Sequence, residues 1–184
     1  MTRFKDIIQE SQFTSIENLQ HVVKYFKKNY DLIMFDKDGT LTKTKSGNHC
    51  PNTPDDMEVM YDTGYFLIPN LFGTDTRIVI CSNQLGVSKG YMSKEDAWAV
   101  LNASAELFNV NFDAAYMAFN DDEMRKPRPG MLNAAMKKFG IEPDRACYIG
   151  DMETDREAAE NAGCDFYYAK DFFGGHIGGI IQKH

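Results

Sequence analysis

Leu32-Ile33-Met34-Phe35-Asp36-Lys37-Asp38-Gly39-Thr40-Leu41-Thr42 is the stretch on which the reading of the chain turns. Four consecutive apolar residues run straight into a carboxylate, the pattern of a strand buried on both faces that delivers polar chemistry at its carboxyl end. The pattern recurs: Arg77-Ile78-Val79-Ile80-Cys81 ends in Ser82, and Ala146-Cys147-Tyr148-Ile149 ends in Gly150-Asp151. Between these runs, residues 94–108 and 131–139 have helical periodicity, and residues 155–162 form an alanine-rich helix that Gly163 stops. Strand and helix alternating in this way predict an α/β fold with a doubly wound, Rossmann-like, mainly parallel sheet and a site at its carboxyl edge.

Upstream, Ile16, Leu19, Val22, Val23 and Phe26 fall at helical spacing behind Ser15, which predicts an amphipathic helix over residues 15–30, capped by Ser15 and packed on the domain. Residues 1–30 are thus expected to be an N-terminal helical extension of a single domain spanning 31–184. Residues 43–76 contain Pro51, Pro54, Pro69 and three glycines, and are expected to be a long irregular segment shaping access to the site. The cluster Gly174, Gly175, Gly178, Gly179 is expected to be a flexible terminus.

With 184 residues, 43% apolar and 12% aromatic, the composition is that of a folded domain and not of a disordered chain. A formal charge of −7 means that any nucleic-acid site would be a local basic patch on a repelling surface. Cys50, Cys81, Cys147 and Cys164 form no CxxC pair, so no structural zinc is expected and the thiols suit a reducing, cytoplasmic compartment, the nucleus left open. Charges at Arg3, Lys5, Asp6 and Glu10 argue against a secretory signal, and no apolar run reaches bilayer length, so no membrane partner is expected.

Four segments carry chemistry. Asp36 and Asp38, two apart across a glycine turn, can both face a crevice, where one carboxylate attacks phosphorus and the other protonates the leaving oxygen. Ser82 and Asn83, at the end of the second run, offer a hydroxyl and turn amides to a phosphoryl group, or simply cap a following helix. Arg125-Lys126-Pro127-Arg128 puts cations next to Asp121, Asp122 and Glu123: Lys126 would neutralise nucleophile and phosphoryl group, and Arg125 could grip substrate oxygens, unless the loop is merely solvated. Asp151, with Asp36 and the main-chain carbonyl of Asp38, makes an oxygen set suited to Mg²⁺, and Asp155 either holds the water shell of that metal or favours a helix N-terminus.

In this order, FDKDGTLT, CSNQ, RKPRPGM and IGDMETD resemble the four motifs of the haloacid dehalogenase (HAD) superfamily, over about residues 32–163. The resemblance implies a HAD-like phosphatase domain with only a small or loop-type cap. It implies Asp36 as nucleophile of an aspartyl-phosphate intermediate, Asp38 as general acid/base, Ser82 and Lys126 as phosphoryl holders and Asp151 as the Mg²⁺ carboxylate. SNQLGVSKG and RKPRPGM look like the subgroup of histidinol-phosphate phosphatases, heptose bisphosphate phosphatases and polynucleotide kinase 3′-phosphatases. The Cys/His zinc loop of the small-molecule members is absent from residues 118–124, while DGTLTKTKSG followed by Pro51 and Thr53-Pro54-Asp55 is similar to the polynucleotide enzymes. The expected substrate is therefore a nucleic-acid 3′ end, with a histidinol-phosphate or heptose bisphosphate type of substrate as the alternative, and a catalytically silent phosphate-binding protein as the reading of another class. Lys43, Lys45, Lys89, Arg125 and Arg128 could line a strand's path, and Tyr61, Tyr65, Phe66 and Tyr91 could stack a base or pack in the core. With no GxxxxGK loop ending in Ser or Thr, a 5′-kinase is expected only as a separate partner.

Overall fold

The computed structural model describes residues 15–73 and 75–175; Met1 to Ser11, Gly178 and Gly179 lie outside them. At its centre is β1 (Leu32–Phe35), paired in parallel with β4 (Arg77–Asn83) on one side and β6 (Ala146–Gly150) on the other. β5 (Ala114–Ala118) and β7 (Asp165–Tyr168) close the two edges, also parallel, in the order β5-β4-β1-β6-β7. The chain builds outward from β1 in one direction, then returns to build in the other. β1 therefore lies where the strand order reverses, the position at which open α/β sheets form a crevice beyond their carboxyl ends.

Alternate side chains of a strand point to opposite faces, and both faces of β1 are covered. Ile33 and Phe35 join Leu19, Val22 and Phe26 of α1 (Ile16–Asn29), Leu67, Ile68 and Leu71 of α2 (Gly64–Leu71), Phe108 of α3 (Lys94–Phe108) and Phe172 of α6 (Ala169–Phe173). Leu32 and Met34 join Met131, Leu132 and Ala135 of α4 (Gly130–Phe139) with Ala158 and Ala159 of α5 (Glu153–Ala162). Each Leu, Ile, Val, Met or Phe buried in this way contributes about 1.5–3 kcal/mol of apolar burial, and each Ala less. The α/β, doubly wound, parallel architecture expected from the apolar runs is the one observed.

Ser15 caps α1, its hydroxyl accepting from the Asn18 amide at 3.2 Å. Beyond the helix, the Tyr30 hydroxyl donates to Asp165 at 2.6 Å and also meets the Tyr167 hydroxyl, tying the first helix to the far edge strand.

Residues 43–76 are not irregular throughout, which corrects the expectation. β2 (Thr42–Thr44) and β3 (Met57–Val59) pair antiparallel as a small ribbon, and α2 follows. Three-residue strands are too short to show alternation, and Gly64 and Pro69 disguise a helix whose apolar residues are nonetheless buried. Two edge strands also go unannounced by the sequence: β5 is alanine-rich and half-buried, and β7 begins on a charge.

Candidate active site

The Asp36 amide donates to the Ile149 carbonyl at 2.9 Å, so the residue extends the ladder of β1 just beyond the strand. The chain then turns at Gly39 (φ +82°), whose amide donates to the Thr42 carbonyl at 2.8 Å. A Cβ at Gly39 would lie 2.5 Å from an Asp151 carboxylate oxygen, and one at Gly150 would lie 2.5 Å from Asp155. Both glycines are thus needed for close approach: they let the turn after β1 and the end of β6 bring their carboxylates together.

Lys126 is buried among these carboxylates. Its ammonium donates to Asp36 Oδ1, Asp155 Oδ1 and the Tyr148 hydroxyl, each at 2.7 Å, which uses all three of its protons. Tyr148 passes the chain on, donating to the Cys81 carbonyl at 2.8 Å. The second oxygen of Asp155 accepts from the amides of Asp151 at 3.1 Å and Met152 at 3.0 Å, so Asp155 fixes the start of α5 and the position of the lysine together. Burial pushes the Asp36 carboxyl up to about 7, against the pull of Lys126 and with the push of Asp155. Burial alone would lower Lys126, but the charges of Asp36 and Asp155 outweigh it and raise the group. Asp151 is raised as well, first by burial and then by Asp155.

The arrangement holds more negative than positive charge. Asp36, Asp151 and Asp155 each offer an oxygen, all within 4.8 Å of one another, a hard donor set of the kind that suits Mg²⁺. Thr40 orients Asp151, donating to Oδ1 at 3.2 Å. The Asp38 carboxylate stands outside this trio: it accepts from Gln84 Nε2 at 2.8 Å and from the fully buried Lys37 ammonium.

Around this centre lies a cavity of about 640 Å³, lined by Asp36, Asp38, Ser82, Lys126 and Asp151 and, further out, by Cys50, Lys89, Tyr91, Arg125 and Met152. Ser82, 1% exposed, lies in β4 two residues beyond the Phe35–Ile80 pair that joins β1 to β4, and lines the same cavity as Asp36. The Asn83 side chain is held by the main chain of Lys126, accepting from its amide at 3.0 Å and donating to its carbonyl at 3.2 Å, so it fixes the lysine loop. Arg125 is only loosely held: its guanidinium is 3.6 Å from Asp121, which Arg128 engages at 2.7 Å, and its Nε is buried with no hydrogen-bond partner among the described residues. Of the basic residues expected along a strand's path, Lys89 and Arg125 line the cavity, whereas Lys43 pairs with Glu58 and Lys45 with the Asp55 carbonyl. Of the aromatics, Tyr91 lines it and is 71% exposed, while Tyr61 stacks on Phe173 and Tyr65 and Phe66 pack at the core's margin.

The family model described as polynucleotide kinase 3 phosphatase matches residues 31–173, from the first strand through the last helix. The chain belongs to that family, and so to the HAD superfamily of phosphatases. The bifunctional polynucleotide phosphatase/kinase of Schizosaccharomyces pombe is 30% identical over 174 residues, which are 88% of this chain and 42% of that protein. This chain thus spans less than half the length of the fission-yeast relative. A probable D-glycero-D-manno-heptose-1,7-bisphosphate 7-phosphatase of Thermoplasma acidophilum is also 30% identical, over 77% of this chain and 92% of that one. In fold, the chain resembles the D,D-heptose 1.7-bisphosphate phosphatase from B. bronchiseptica, a crystal structure complexed with magnesium and phosphate (TM-score 0.63, 22% identity, 74% and 79% of the chains covered). A putative HAD-like phosphatase from Mesorhizobium loti is similar to the same degree (TM-score 0.66, 21% identity, 85% and 90% covered). The protein is a HAD-type phosphatase, as the motifs implied.

Proposed function

We propose that this phosphatase is a Mg²⁺-dependent phosphomonoesterase that acts through an aspartyl-phosphate on Asp36 and removes the 3′-phosphate from a nucleic-acid end. The observation that carries the chemistry is the buried Lys126 ammonium shared between Asp36 and Asp155 at the floor of an open cavity, with Asp151 beside them. Lys126 keeps Asp36 oriented and offsets charge on the incoming phosphoryl group. Asp36 attacks phosphorus as the bond to the leaving oxygen breaks, and Asp38 gives that oxygen its proton; Asp38 then takes a proton from the water that attacks the aspartyl-phosphate. A bound Mg²⁺, held by Asp36, Asp151 and the Asp38 carbonyl, would neutralise phosphoryl oxygens and allow two anions to meet. Ser82 and Arg125 are assigned to the phosphoryl oxygens, and Asp155 to the surroundings of the metal.

The nucleic-acid substrate is supported by the family model and the fission-yeast relative, and by the cavity lining, which includes an exposed Tyr91 and the cations Lys89 and Arg125. A stacked base and a neighbouring phosphodiester suit such a surface. The buried thiols of Cys81 and Cys147, neither in a disulfide among the described residues, are consistent with an intracellular setting. The second reading is a sugar bisphosphatase, favoured by the similarity to the Thermoplasma protein along nearly all of that protein's length. Phosphate release from a 3′-phosphorylated oligonucleotide, histidinol phosphate and heptose 1,7-bisphosphate, with and without Mg²⁺, separates the two. The oligonucleotide is expected to be hydrolysed best, and Asp36→Asn to be inactive on all three; turnover by that variant would sink the mechanism, and preference for the sugar would replace the substrate.

A further inference from the structure

Gln84 belongs to the second motif, yet no role in the reaction has been given to it. It is 5% exposed, and its main chain is fixed by a 2.8 Å bond from its amide to the Ala118 carbonyl of β5. Its side-chain nitrogen lies 2.8 Å from Asp38 Oδ2 and 3.0 Å from Ser82 Oγ. A carboxylate only accepts, so the amide must turn its NH₂ group toward Asp38, and the second proton of that group then goes to the serine oxygen. Two consequences follow from this orientation. The Asp38 carboxyl is held on both oxygens, by Gln84 on one and by Lys37 on the other, with a lone pair left on each for a transferred proton. Ser82 accepts from Gln84, so its own proton is not spent on that bond and is free for an oxygen entering the cavity.

We infer that Gln84 is a positioning residue that aims the Asp38 carboxyl at the leaving-group oxygen. The inference rests on the phosphatase mechanism proposed above. In the first half-reaction the Asp36 oxygen forms a bond to phosphorus, the bond from phosphorus to the leaving oxygen breaks, and the proton of Asp38 passes to that oxygen. A leaving group that departs as a stable anion has no need of that proton; an alkoxide does.

The test compares two substrates in the same variant. Gln84→Leu is assayed by kcat/KM, which reports steps through departure of the leaving group, on p-nitrophenyl phosphate and on an alkyl phosphate. The alkyl phosphate is a 3′-phosphorylated oligothymidylate or heptose 1,7-bisphosphate, whichever the wild-type protein hydrolyses. The alkyl phosphate is expected to lose about 10²-fold or more, and p-nitrophenyl phosphate less than about tenfold, because general-acid assistance is worth about 10²–10⁴ and only the alkyl substrate uses it. Adding Gln84→Leu to Asp38→Asn is expected to widen the gap no further, as two residues acting through one step are non-additive. Gln84→Met, close in size and shape but lacking the amide protons, gives the same pattern if Gln84→Leu fails to melt cooperatively. Equal losses on both substrates with a folded variant would overturn the role of Gln84 and leave the phosphatase mechanism standing. A wild-type protein inactive on every phosphate would overturn both.

Discussion

The two edges of the central sheet carry the same kinds of charged side chain and use them in opposite ways. At the amino edge, Asp31 meets Arg145 at 2.9 Å and Arg77 meets Asp113 at 3.2 Å, one anion to one cation, partly open to solvent. The hydrogen bond from Arg145 holds the Asp31 carboxyl below its usual range. At the carboxyl edge, one buried Lys126 serves two carboxylates with a third nearby, and burial drives Asp36 upward. The first arrangement is balanced and solvated, so it contributes little stability and has nothing left to offer a ligand. The second is unbalanced and desolvated, the condition in which ionisable groups are most often found at functional sites, and it is the one to which the proposed mechanism assigns a phosphoryl group and a divalent cation.

Removing the cation tests that contrast most severely. Lys126→Met is expected to lower unfolding free energy by about 3–5 kcal/mol, since Asp36 and Asp155 are left buried without their counter-charge. Denaturant unfolding measures it, and combination with Asp36→Asn is expected to restore part of the loss. A cost no larger than that of a surface pair would break the comparison. Tyr148→Phe is milder: the ammonium loses one of three acceptors, at about 1–3 kcal/mol, and the Cys81 carbonyl loses its donor. Steady-state kinetics on the same variant is expected to show lower kcat, because the lysine is less firmly aimed.

Asp31→Asn is the smallest change, about 1 kcal/mol or less for a pair exposed to this extent. The folded-state pKa of Asp31 is depressed, so its contribution is present above the unfolded carboxylate range and is lost as pH falls through the folded value. Thermal melts of wild type and variant are therefore expected to differ slightly at neutral pH and to converge in acid; a difference that grew in acid would contradict the pairing.

Much of this was legible in the chain. Apolar runs without alternation marked β1, β4 and β6, and Ser15 ahead of a helical stripe marked α1, because burial on two faces and helix capping are local demands. Asp36, Ser82, Lys126 and Asp151 stood out for the same reason, each closing an apolar run or sitting in a cation-rich loop. The edge strand β5, with its alanines, and the ribbon of β2 and β3 carried no such demand, being held by partners distant in sequence.

What the order of residues determined by itself was the three central strands, the carboxyl edge at which they end and the identity of the acidic and basic groups delivered there, since periodicity and strand-end position are properties of neighbours in the chain. Only the tertiary structure decided which groups touch. Tyr148 reads as one more core residue of β6 until its hydroxyl is seen to reach across β1 to Cys81, and Gln84 reads as a turn residue until its amide is seen to join Asp38 to Ser82. Hydrogen bonds act over about 3 Å, and the partners here lie up to 67 positions apart, so contacts of this kind exist only once the strands have been set side by side.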